Sequence, residues 1–334
     1  MPVLVVYGLI LTLVAGVLSG NFMLPMKFVR RWPGENVWLV FSVISLVIVP
    51  GVLALALVGH LGRVYASASA GELLLPFLLG AGWGVAQVLF GLSIARLGLA
   101  LGYAIIIGLG SLGGTLVPLF IKHPEVLGSA HGAVILCGLA AMIAGIATAA
   151  RAGSHREQAE TKSAGGSYAV ALTLAILCGL LAPMVNYAFA FGQGIAEAAE
   201  RWGASPLCAG YAIWPVALLG GLVPNAVYCI YLLRKNKTWS AYRGPWLAET
   251  GMASLMAIFW MGAIAVYSVA TVWLGALGTS VGWGLFQIFN IMTANVCGLL
   301  TGEWREAPAG ARRTLYGALA LLTLATMLLA AGNR

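Results

Sequence analysis

The chain reads as an all-α membrane protein, with ten transmembrane helices in two inverted five-helix repeats. Three observations predict this. Of its 334 residues, 61% are hydrophobic and only 8% charged, against about 25% charged in a soluble globular protein. The apolar residues gather into ten runs, each near the roughly 20 residues needed to cross the hydrocarbon of a bilayer. One hydrophilic stretch, RAGSHREQAETKSAGG at 151–166, leaves five runs on either side. Lipid is therefore the solvent for most of the chain. A disordered protein and a nucleic-acid binder are excluded, despite a formal charge of +8.

Each run must be helical, because in lipid only a helix or a closed barrel satisfies its own backbone, and barrel strands are short and alternating. The first run, 3–25, ends before Lys27, Arg30 and Arg31; the second, 37–59, before Arg63; the third, 73–95, before Arg96. The fourth, 97–121, stops at Lys122, and the fifth, 130–150, at Arg151, Arg156 and Lys162. The sixth, 168–191, is followed by Arg201, and the seventh, 207–233, by Arg234, Lys235, Lys237 and Arg243. The eighth, 246–269, meets the ninth, 274–301, without an intervening base; Arg305, Arg312 and Arg313 precede the tenth, 314–331, and Arg334 follows it. Odd-numbered connections thus hold fourteen of the 18 Lys and Arg residues. Basic loops stay cytoplasmic, so both termini are expected on the periplasmic face of a bacterial inner membrane. Met1–Leu18 has no basic leader and its apolar run continues too far for a signal peptide.

The hydrophilic stretch suggests a division into residues 1–150, a cytoplasmic linker 151–166, and residues 167–334. A repeat signal supports it. Trp83 precedes Leu97-Gly98 by fourteen residues, Trp260 precedes Leu274-Gly275 by the same distance, and Phe90 then aligns with Tyr267. Five spans is an odd number, so the second copy enters the membrane from the opposite side. Inverted repeats of this kind give alternating access, with substrate held near mid-membrane.

No HExxH, GxSxG or Walker lysine loop is present. His60, His123, His131 and His155 sit at span edges or in loops, and the five cysteines lie in apolar stretches without CxxC spacing. An enzyme, a metal centre and an organic cofactor are accordingly not expected. The spans instead carry amides and aromatics at helical spacing: Trp83 and Gln87; Trp260 and Tyr267; Trp283, Gln287 and Asn290; with Asn21 and Asn186 beside Phe22 and Tyr187. Carboxamides match the donors and acceptors of a sugar's hydroxyls, and indoles match its C–H faces. Amides also serve as interhelical glue. Trp38, Trp202, Trp239, Trp246 and Trp304, near run ends, read as interface anchors. Paired glycines such as Gly80/Gly84, Gly98/Gly102 and Gly110/Gly114 allow close helix approach. Pro25, Pro50, Pro76, Pro118, Pro183, Pro215 and Pro224 are candidate kinks.

The opening GNFMLPMKFVRRWPGENVWLVFSVISLVIVP, the segment LLPFLLGAGWGVAQVLFGLSIARLGLALGYAIIIGLGSLGGTLVPL and the CGLLTGEW closing the ninth run resemble the L-rhamnose–proton symporter family, within the drug/metabolite transporter superfamily. The resemblance implies ten helices in two inverted repeats and import of L-rhamnose or a related monosaccharide by proton symport. The alternative is an exporter or facilitator of small amphipathic metabolites or drugs on the same fold. Thr279 and Phe286 stand where the family pattern leads one to expect Asp and His. The acidic groups nearest mid-membrane are then Glu72 and Glu249, at parallel positions opening the third and eighth runs, and these are the candidates for proton coupling. The expected partners are a small sugar and membrane lipids, in a monomer or weak dimer.

Overall fold

The computed structural model describes residues 3–97, 99–157, 168–244 and 246–333. Gly98, the linker beyond Glu157 with Lys162, and Arg334 lie outside the described residues. Among the described residues there is no strand, and ten helices are long and apolar enough to cross a membrane. They are Val3–Phe28, Gly34–Leu57, Ala70–Ile94, Leu101–Lys122, Ala130–His155, Ala169–Arg201, Pro206–Lys235, Leu247–Leu274, Val281–Leu300 and Ala309–Gly332. Each expected run has its counterpart, and the chain is a multi-pass membrane protein.

The differences have local causes. The eighth span runs on to Leu274, and the ninth begins only at Val281. Gly275, at φ +81°, ends the helix in the left-handed conformation that glycine adopts without steric cost, so Thr279 lies in a turn. The first span breaks after Gly20 into a turn at 21–23 and a 3₁₀ segment, Leu24–Phe28. The sixth breaks at Ala182-Pro183 between Tyr168–Leu181 and Met184–Phe191. In the second, a π turn over Ile44–Ile48 precedes Pro50, whose missing N–H leaves the α ladder one donor short. Pro76, Pro118 and Pro224 remain inside continuous helices.

The chain packs into two compact units, each drawing on both halves of the sequence. One comprises residues 1–20, 89–183 and 270–334. Its core joins Leu119, Ile135, Met142, Leu285, Ile288, Leu322 and Leu329. Here Gly138 and Gly145 face Leu329 and Leu322, so the fifth and tenth helices run close together. Gly16 and Gly20 likewise seat the first helix against Phe289 and Thr293 of the ninth. Trp304, expected as an interface anchor, is buried in this unit beside Ala152, Ala311 and Leu315.

The other unit comprises residues 21–88 and 184–269. Its seventh helix is the hub, packed on the second and, through Ala217, Gly220 and Gly221, on the third. A Cβ on Gly80 would occupy the position of the Ala217 carbonyl oxygen, and one on Gly84 would strike the Gly221 carbonyl and Pro224. Backbone cannot yield as a flexible side chain does. Gly80→Ala is therefore expected to destabilise the protein by about 1–3 kcal/mol, the usual cost of overpacking. Gly91→Ala, where the new methyl meets open space, should leave the thermal unfolding of detergent-purified protein unchanged or slightly raised.

Candidate functional site

The unit built from residues 21–88 and 184–269 contains two aromatic groupings. In the first, Trp83 and Trp260 stack with ring centres 5.3 Å apart and planes 20° from parallel. Gly221 makes the room: its missing Cβ would stand 2.9 Å from the Trp83 ring. Phe41 packs edge-on to Trp260 and against Trp38 and Phe22. Trp38, expected as an anchor, is half-buried in this wall and donates its indole N–H to Asn225 Oδ1 at 3.3 Å. One turn beyond Trp83, Gln87 is half-buried. Among the described residues, neither the Gln87 carboxamide nor the Trp83 and Trp260 indole N–H groups have a hydrogen-bond partner, and none is sealed from solvent.

The second grouping is closed. Tyr267 is fully buried and donates its hydroxyl to Asn186 Oδ1 at 3.1 Å. Phe189 stacks on Trp214 at 5.0 Å, Trp214 donates to Ser268 Oγ at 2.7 Å, and Tyr211 donates to the Ala265 carbonyl at 3.2 Å. Asn186 and Tyr267 are thus brought together, in a network that satisfies itself. Asn21 sits in the turn that breaks the first span, its carbonyl accepting the Leu24 N–H at 3.0 Å.

The ninth-span stripe lies in the other unit. Its three members differ. The Trp283 indole N–H donates to the Gly110 carbonyl at 3.3 Å, and its ring fills the space left by Gly114. Asn290 donates to Ser19 Oγ at 3.2 Å, tying the ninth helix to the first. Gln287 is only 7% exposed, yet its carboxamide has no hydrogen-bond partner among the described residues.

Glu72 and Glu249 have different surroundings. Glu72 is exposed and closes a reciprocal cap: its carboxylate accepts the Ser69 N–H at 2.7 Å, and its own N–H donates to Ser69 Oγ at 3.2 Å, the pattern of an S-x-x-E helix start. Glu249 is 5% exposed, the only buried acid among the described residues. Its two oxygens accept the backbone N–H groups of Arg30 and Arg31, at 3.3 and 3.2 Å. Nearby, Tyr242 donates to the Asn36 carbonyl at 3.1 Å; burial pushes its hydroxyl up to about 12, so it stays a neutral donor. No group of three His, Cys, Asp or Glu side chains among the described residues could hold a metal.

Trp38 and Phe41 were not expected near the candidate site, although they form an i, i+3 aromatic pair on the second helix.

The family described as L-rhamnose-proton symport protein (RhaT) matches residues 1–332. An L-rhamnose-proton symporter of Cronobacter sakazakii is 29% identical over 309 residues, covering 90% of each chain. One from Mannheimia succiniciproducens is 26% identical, covering 98% of each, and one from Escherichia coli is 27% identical, covering 90% of each.

The Asn186–Tyr267 pair yields a prediction. Tyr267→Phe leaves a buried carboxamide oxygen short of its donor and should cost about 1–3 kcal/mol. Tyr267→Phe combined with Asn186→Leu should recover part of that loss in thermal unfolding, because the carboxamide oxygen that lost its donor is then removed as well.

Proposed function

The chain belongs to the L-rhamnose-proton symport protein family, and from that premise we propose that it imports L-rhamnose or a closely related monosaccharide together with a proton, by alternating access. It is a transporter, not an enzyme, and needs no cofactor beyond the coupling ion. The cationic loops orient it with both termini in the periplasm of a bacterial inner membrane. Residues 1–150 and 167–334 are its two inverted repeats. The broken first helix of each half supports this, as does the stacking of Trp83 on Trp260, the pair that the repeat signal aligns.

The observation that carries the sugar reading is the pair of unsatisfied carboxamides. An amide facing acyl chains with no partner is costly. Among the described residues, Gln87 and Gln287 are the glutamines of the spans that carry this cost on both carboxamide atoms, whereas the other unpaired buried polar atoms are single atoms of Trp32, Asn36, Ser111, Thr115 and Asn333. Gln87, with the indole N–H groups of Trp83 and Trp260, offers donors and an acceptor beside a stacked aromatic wall. Gln287 offers the same chemistry on the other unit. A sugar hydroxyl can donate to and accept from such an amide, with about 1 kcal/mol net per hydrogen bond. A transportable micromolar to millimolar affinity needs only about 4–8 kcal/mol. Asn186, Tyr267, Trp283, Asn290 and Asn21 support these residues by holding helices in place.

Proton coupling is assigned to Glu249. A proton and the Arg30–Arg31 amides compete for the same two oxygens, so protonation loosens the connection between the first and second spans. Glu72, committed to its helix cap, takes the structural role.

Gln87→Ala and Gln287→Ala, tested separately in proteoliposomes, should each weaken L-rhamnose uptake and rhamnose-induced thermal stabilisation by about 5–30-fold, with unliganded stability preserved. Asn290→Ala should show the reverse, lowered stability with sugar binding retained. Uptake unchanged in both glutamine variants would remove the carboxamides from the site. Glu249→Gln should still exchange sugar in counterflow but no longer accumulate it under an inward proton gradient; full accumulation would exclude Glu249 as the coupling group.

A further inference from the structure

The seventh helix ends in Arg234 and Lys235, and the chain then turns through Lys237 into the 3₁₀ segment Thr238–Arg243. Arg234, Lys235, Lys237 and Arg243 are all exposed. None lies within 4.0 Å of a carboxylate among the described residues. Two acids of the same unit, Glu35 and Glu249, are already occupied by neutral donors. Glu35 accepts from Asn236 and Thr238 at 3.0 and 2.9 Å, and Glu249 accepts from the Arg30 and Arg31 amides. The helix C-terminus favours cations in its last turn, which accounts for Arg234 and Lys235. Lys235 is further engaged, its ammonium 5.8 Å over the Tyr231 ring. Neither effect accounts for Lys237 and Arg243, which lie beyond the helix.

These cations surround a hollow of about 470 Å³, lined by Arg234, Lys237, Trp239, Ser240 and Arg243. Through Arg234 it adjoins a groove of about 550 Å³ along the exposed face of the seventh helix, lined by Val227, Ile230, Tyr231, Arg234 and Lys235. The spacing i, i+3, i+4 places Val227, Ile230 and Tyr231 on one stripe. An apolar furrow opening into a cationic, hydroxyl-bearing hollow, with an exposed Trp239 beside it, has two chemistries in sequence. A fatty chain fits the furrow. An anion fits the hollow, where guanidinium groups can grip phosphate oxygens in pairs. A soluble anion uses only the second and a neutral lipid only the first.

We propose that this end of the seventh helix binds an anionic phospholipid, its phosphate held by Arg234, Lys237 and Arg243 and its acyl chain lying along Val227, Ile230 and Tyr231. The lipid braces the hub helix of its unit, and basic hollows at the membrane edge are suited to such headgroups.

The test uses the purified full chain in mixed micelles. Phosphatidylglycerol should raise the melting temperature by about 4 °C or more over an equal amount of phosphatidylcholine, and native mass spectra should retain it as a discrete adduct. Salt should weaken both effects. The surface triple variant Arg234→Gln, Lys237→Gln, Arg243→Gln should melt like the parent in phosphatidylcholine but lose the phosphatidylglycerol gain and the adduct. Short-chain phosphatidylglycerol should bind at least tenfold more weakly than the long-chain lipid, and Tyr231→Ser should narrow that gap. Stabilisation that persists in the triple variant overturns the proposal. So does equal stabilisation by phosphatidylcholine, or an equal gain from inorganic phosphate alone, which would mark a site for free anions.

Discussion

A chain solvated by hydrocarbon must satisfy its polar groups from within, and that requirement organises both units. Thr12, Ser45, Ser93, Thr148, Thr173 and Ser268 each turn the hydroxyl back onto the carbonyl four residues earlier, the local solution open to small hydroxyls in helices. Tyr211, Trp214 and Tyr267 reach across to other helices instead. With most polar side chains settled in these ways, the exceptions become informative. Gln87 and Gln287 each sit one turn from a tryptophan and have no hydrogen-bond partner among the described residues, as do single buried atoms of Trp32, Asn36, Ser111, Thr115 and Asn333. In the proposed reading the two carboxamides keep this capacity for the sugar.

Close packing is the second condition. Lipid tails are as apolar as leucine, so helices associate through van der Waals contact and polar links rather than through the exclusion of water. Glycines at Gly16, Gly80, Gly84, Gly138 and Gly145 let backbone or side chain of a neighbour enter the space of a missing Cβ. Gly221 and Gly114 do this for the Trp83 and Trp283 rings. The indoles are therefore placed by glycines on other helices, and the aromatic wall depends on residues that carry no side chain.

The ten spans were legible because apolar runs of membrane length have one physical meaning. Their ends were less so. The junction of the eighth and ninth spans depends on the backbone of Gly275, one of 44 glycines, and nothing local separates it from those inside helices. Trp38 and Trp304 read as anchors because they lie near run ends in the sequence; Asn225, 187 residues away from Trp38, decides that Trp38 faces inward. Glu72 and Glu249 looked equivalent by position, but their neighbours differ. Ser69 stands three residues before Glu72 and supplies a cap, whereas Trp246 stands three before Glu249 and supplies none, leaving that carboxylate for a distant loop. The amide stripe of the ninth span showed which residues share a face. It did not show that Trp283 and Asn290 find partners while Gln287 does not, because those partners, Gly110 and Ser19, lie far away along the chain.

The pairing of the first helix with the ninth, and of the fifth with the tenth, bears on biogenesis. Chains emerge from the ribosome N-terminus first. The Gly16 and Gly20 notches must wait for Phe289 and Thr293, and Gly138 and Gly145 for Leu322 and Leu329. Through most of translation, the nascent protein thus resides in the membrane with unmatched notches and unfinished polar links. That unit can complete its packing only at the close of synthesis, when its last two helices arrive.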